Sequence, residues 1–194
     1  MIINYEIIFY FCKILSLTLL NIDNIYILFE PFMTVIYNLI DNKIMIEFSV
    51  DVLCTLIPEI LVKYEKIKSS INKNINEENK IWINEKWQKV LFSPLLTLLG
   101  QPNVFILLKQ KLFFSIKKII EQSAHYLDPY GWDSILQSCV IISNYTMENA
   151  FLIIKEILND YNIYLSIFNV VQLMKLLNLF ICEKKDKNMN FSSV

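Results

Sequence analysis

The only histidine in the chain, His125, lies among carboxylates: Glu121 one helical turn before it, Asp128 and Asp133 after it. Cys139, fourteen residues downstream, would complete a Cys-His-Asp set, in which a base activates a thiol nucleophile. Catalysis needs those groups positioned together, and the spacing places Cys139 on a separate helix from His125. A histidine at a helix C-terminus has a simpler use, since it caps carbonyls and complements the helix dipole. His125 is therefore read as structural, and the chain as a non-enzyme. The stretch that follows it, "LDPYGWDSIL" (127–136), contains Gly131 and Trp132 and is read as a joint between two helices. In that reading Asp128-Pro129 ends one helix, Gly131 supplies the turn, and Trp132 anchors the next helix in the core.

Other chemistries lack their residues. The four cysteines, Cys12, Cys54, Cys139 and Cys182, include no C-x-x-C pair, so no metal site is expected and each is read as a buried free thiol. Two glycines in 194 residues leave no phosphate-cradling loop, and no cofactor is expected. The formal net charge is −1 and every basic residue is Lys. A nucleic-acid surface needs a basic stripe, so that partner class is excluded. Lys184-Lys185-Asp186-Lys187 is read as part of a solvated loop.

The elements that would position these residues are helices. Residues 85–99 place Trp87, Val90, Leu91, Leu95, Leu98 and Leu99 on one face, with Pro94 expected to kink or restart the helix. A second helix, 104–123, sets Phe105, Leu108, Leu112, Ile116, Ile119 and Ile120 against Lys109, Lys117, Lys118 and Glu121. A third, 132–143, aligns Trp132, Ile135, Leu136, Cys139 and Ile142. Thr146 is the expected N-cap of a helix over 147–160 with Ala150, Ile153, Ile154, Ile157 and Leu158 inward. The last helix, about 164–182, is expected to bury Ile167, Val170, Val171, Met174, Leu177 and Ile181, ending in the polar "EKKDKNMN". Upstream, helices are expected over 31–40 and 44–64, the latter interrupted at Pro58, with a long polar loop at about 65–84. The apolar run Ile7–Leu20 carries Lys13 and is shorter than the ~20 residues of a bilayer span, so it is read as a buried helix.

Trp87 and Trp132, 45 residues apart, each open a helix pair. That spacing lies in the ~40–47-residue range of HEAT and armadillo repeats, so the fold class expected is all-α, a HEAT/armadillo-like α-solenoid. A single irregular helical bundle is the alternative.

The order "VDVLCTLIPEIL" (50–61), "WQKVLFSPLLTLL" (87–99), "GWDSIL" (131–136) and "AFLIIKEILNDY" (150–161) resembles the HEAT-like region of the Mon-two family of Golgi and endosome trafficking proteins. It is similar, more loosely, to the repeats of large Sec-seven-type Arf exchange factors. The residues that carry the resemblance are Pro94, Gly131, Trp132, Ala150 and Phe151, all packing signatures. It covers residues 48–194 and leaves 1–47 as a helical segment of separate assignment. It implies a non-enzymatic scaffold in vesicle-mediated protein transport, peripheral on trans-Golgi or endosomal membranes. Its implied associates are Dopey-type proteins and Arf-like GTPases, in a phospholipid-flippase pathway. Family members are far longer, which implies a fragment or a reduced form. Two other readings remain at this level: a regulatory segment of an Arf exchange factor, and a small membrane protein anchored through residues 1–29.

Overall fold

The computed structural model describes residues 50–51, 53–62, 87–101 and 106–190, and every regular element among them is helical. The segments expected at 1–47, 31–40 and 65–84 lie outside the described residues. The helices are α1 (50–62, with 52 not described), α2 (Trp87–Gly100), α3 (Ile106–Ser123), α4 (Pro129–Ser143), α5 (Met147–Glu156) and α6 (Ile167–Asn190).

Two rows of helices enclose one core. In the first row α2, α4 and α6 lie side by side, with α4 packed against both of its neighbours. In the second, α1 meets α3 through an ion pair between Asp51 and Lys111, and α3 meets α5 through Lys117 and Glu156 at 3.1 Å. Between the rows lie Leu53, Ile57, Ile60, Phe92, Leu95, Ile116, Ile120, Trp132, Ile135 and Ile153, all with 1% or less of their surface in water. A core this dry is the main source of stability, at about 25 cal/mol for each Å² of apolar surface removed from water.

Both internal prolines are accommodated. Residues 53–62 are helical straight through Pro58, where an interruption was expected; its neighbours Leu56, Ile57, Ile60 and Leu61 are buried and hold the turn. Pro94 is buried inside a continuous α2. Lacking an N–H, it leaves the Val90 carbonyl without its helical donor, and Val90 is half-exposed, so water can replace that bond.

That exposure corrects the inward face of α2. Val90 points out, and the true buried row is Gln88, Leu91, Phe92, Leu95, Leu98 and Leu99. Trp87, expected to be inward, is only half-buried. The reading of α4 holds side chain by side chain, since Trp132, Ile135, Leu136, Cys139 and Ile142 are all buried. Its start moves back to Pro129 because Asp128 is the N-cap: its carboxylate accepts from the backbone N–H of Tyr130 at 2.8 Å and of Gly131 at 2.7 Å. The pair Asp128-Pro129 thus opens α4 instead of closing α3.

The α5 helix loses its regular hydrogen bonding after Glu156. A π turn over Ile157–Tyr161 and a 3-10 turn over Asn162–Tyr164 carry the chain to α6. The wider turn keeps Ile157 buried and swings Leu158 out to solvent, against expectation. Thr146 has the extended backbone of an N-cap, yet its side chain makes no capping bond.

Pro129 and Ile167, which open α4 and α6, are 38 residues apart.

Candidate functional site: the outward face of the last helix

The residues first considered for catalysis do not assemble into a catalytic set. His125 is exposed in the 3-10 turn Ala124–Tyr126, its ring against that of Tyr126 at 3.8 Å. Cys139 is fully buried in α4, and desolvation pushes its thiol up to about 12, which suppresses the thiolate. Asp128 is engaged as the N-cap, and Asp133 accepts from Gln137 at 2.7 Å. Among the described residues no group of His, Cys, Asp and Glu is placed to hold a metal ion. No helix among them is long and apolar enough to cross a membrane.

Polar chemistry is concentrated instead where helices of the first row meet. Gln88, near the start of α2, is buried and donates from Nε2 to the Tyr126 carbonyl at 2.8 Å. Its Oε1 accepts from the Asp128 N–H at 3.0 Å. Gly131 makes room for this clamp, since a Cβ there would lie 1.9 Å from Gln88 Oε1. Gly131 therefore serves close packing within α4 and not a turn: its backbone has no positive φ. On the other flank, fully buried Asn169 of α6 donates to the Pro129 carbonyl at 2.8 Å and accepts from the Ser166 hydroxyl at 2.6 Å. Two amides thus hold the start of α4 between its neighbours, Gln88 from α2 and Asn169 from α6. Each amide leads an apolar face, Gln88 before Leu91 and Asn169 before Leu173. That signal was legible, but an apolar template passes over polar residues.

The residues that carry the sequence resemblance serve packing as well. Pro94, Gly131, Trp132 and Ala150 are buried. Phe151 is half-exposed and meets Phe180 of α6 edge-on, with ring centroids 6.4 Å apart. Compared with family models, with curated proteins and with solved structures, the chain matches none.

The most informative surface is on α6, where the expected inward face is overturned. Buried are Asn169, Leu173, Leu176 and Phe180, spaced i, i+4, i+7 and i+11. Ile167, Val170, Val171, Met174 and Ile181, expected inside, are exposed, with Ile167 at 86% and Met174 at 61%; only Leu177 is partly buried. At about 100° per residue the two stripes are centred roughly 130° apart, so α6 has two apolar faces and the fold uses one. The helix also runs on to Asn190, where a polar loop was expected after Cys182. Cys182 itself is exposed and Cys54 only partly buried, against the expectation of buried thiols. Burial raises the Cys54 thiol, and a hydrogen bond with Ser115 partly offsets it.

Large apolar side chains left in water forgo about 1.5–3 kcal/mol each at full exposure. A row of them marks a contact surface more often than an accident of packing. Ile163 and Tyr164, exposed in the turn before α6, extend the row to the helix start.

Proposed function

We propose that this chain is a non-enzymatic helical-repeat segment, HEAT/armadillo-like in its stacking, that acts as a scaffold through protein–protein contacts. The observation that carries the proposal is the outward apolar stripe of α6, on the side of that helix away from α4. The recurrence of an amide clamp at the start of α4 from each side, Gln88 and Asn169, with the 38 residues between the starts of α4 and α6, supports the repeat reading.

On the sequence resemblance to Mon-two proteins, we further propose that this scaffold acts in vesicle-mediated transport, peripheral on trans-Golgi or endosomal membranes, with Dopey-type proteins and Arf-like GTPases as associates. Fluorescently tagged full chain should co-localise with trans-Golgi or endosomal markers and be released from membranes by alkaline carbonate. Diffuse signal without membrane recruitment would remove the trafficking reading. Retention in the carbonate pellet would favour an anchor in residues 1–29.

A further inference from the structure

We infer that Asn169 is a rotational latch: its buried amide decides which of the two apolar stripes of α6 faces the core, and without it the helix turns and exchanges them. Apolar contact is non-directional, so hydrophobic burial alone does not single out one stripe. The packed stripe holds Leu173, Leu176 and Phe180, and the outward one offers Ile167, Val170, Val171, Met174 and Ile181. What distinguishes the packed stripe is a directional bond to α4.

Asn169 supplies that bond from a position with none of its surface in water. Its Nδ2 donates to the Pro129 carbonyl, 40 residues away, at 2.8 Å. Its Oδ1 accepts from the Ser166 hydroxyl at 2.6 Å and from the Ser166 N–H at 3.3 Å. The Asn169 N–H donates to the same hydroxyl at 3.2 Å. The pairing with Ser166 holds the amide in one orientation, so the bond to Pro129 fixes the angle of α6 about its own axis. In coiled-coil seams a single buried asparagine acts in this way, selecting one register among similar apolar packings.

Two further features leave the choice to this amide. Among the described residues, α6 makes no other side-chain hydrogen bond or ion pair to another helix. The α5 and α6 helices are also not continuous: a 3-10 turn over Asn162–Tyr164, with Ile163 at 78% exposure, leads into extended Leu165. A turn of α6 therefore need not unwind α5. Turned by about 130°, α6 would place Asn169 in water, hide Met174 and carry Asn178 inward. Asn178 then lies about 13 Å along the helix from Asn169, out of reach of the Pro129 carbonyl, which keeps the latched position the favoured one. The latch thereby controls whether the outward stripe is on offer. That consequence rests on the reading of the stripe as a contact surface; the turn itself does not.

Hydroxyl-radical footprinting of the full chain, read by peptide mass spectrometry, reports both faces from native residues. In the wild-type chain Met174, 61% exposed, should oxidise readily, and Phe180, 7% exposed, should be protected. Asn169→Lys puts a charge where none can be paired and should exchange them: Met174 oxidation falls at least ~5-fold and Phe180 oxidation rises by a comparable factor, with helical circular dichroism unchanged. Asn169→Ala removes the latch without adding a charge and should move both rates part of the way. If Asn169→Lys loses the helical signal, the Asn169→Ala footprint decides alone. Met174 still exposed and Phe180 still protected in the deciding variant would make the amide a stabilising bond only and overturn the proposal. A rise at Phe180 with no fall at Met174 would mean that α6 detaches instead of turning, and overturns it too. Neither result touches the localisation test, so the scaffold reading stands or falls separately.

Discussion

The α4 and α6 helices belong to the same row and start on the same kind of junction, yet they use their apolar residues in opposite ways. The α4 helix is covered on both flanks, and eight of its fifteen residues are buried, including Ser134 and Ser138. Those serines are tolerated because each hydroxyl donates to a carbonyl one turn back, Tyr130 and Ser134, at 2.9 Å. The α6 helix is covered on one flank and carries as much hydrophobic residue on its free side as on its packed side. An apolar side chain is thus a core residue only where a neighbour exists to cover it.

The sharpest break of that comparison is at Trp132, which has none of its surface in water. Trp132→Ala should lower stability by about 3–5 kcal/mol, as for other buried aromatics, measured by urea unfolding. A loss below ~1 kcal/mol would contradict its central place. Its indole N–H has no hydrogen-bond partner, so Trp132→Phe should be much milder, because it removes an unsatisfied donor along with part of the ring.

Adjacent residues of α6 test the two faces directly. Leu173→Ala should cost about 2–4 kcal/mol, while Met174→Ala, one position along, should stay within ~0.5 kcal/mol. Equal effects would mean that the outward stripe is packed.

The clamp at the start of α4 predicts a smaller, coupled effect. Gly131→Ala gains up to about 1 kcal/mol of helix propensity, but its Cβ displaces Gln88 from two buried bonds. A net loss of about 1–2 kcal/mol is expected, shrinking towards zero or reversing in a Gln88→Ala background. An unchanged loss in the double mutant would show that the two residues are not coupled. The mildest test is chemical: in the folded protein iodoacetamide should label exposed Cys182 readily and Cys139 only on unfolding, by mass spectrometry.

How far the sequence could be read follows from the same contrast. Where a helix has a single apolar stripe, as in α4, periodicity identifies its buried apolar residues; in α3 it finds Leu112, Ile116, Ile119 and Ile120 but passes over buried Phe113, and Leu108 is only partly buried. In α6 two stripes compete, and periodicity alone favours the one richest in Ile, Val and Met. The fold chose the stripe led by Asn169 because that amide closes a junction with Pro129, a contact 40 residues away that no local pattern contains. Gln88 was passed over for the same reason, and with it the role of Gly131. The start of α4 differs from expectation because Asp128-Pro129 can close a helix or, as here, open one with Asp as N-cap and Pro at the first helical position. The π turn after Glu156 left no composition signal, and Leu158 was assigned inward on the assumption of unbroken 3.6-residue periodicity.

The amide clamps also bear on how the chain reaches this structure. Gln88 closes on residues 38 and 40 positions ahead, and Asn169 closes 40 positions back. Loops of that length close with an entropic penalty that grows only slowly with chain length, so each junction can form once its own two helices exist. Folding can then advance along the chain one junction at a time as the polypeptide leaves the ribosome, with α4 locked first by α2 and afterwards by α6.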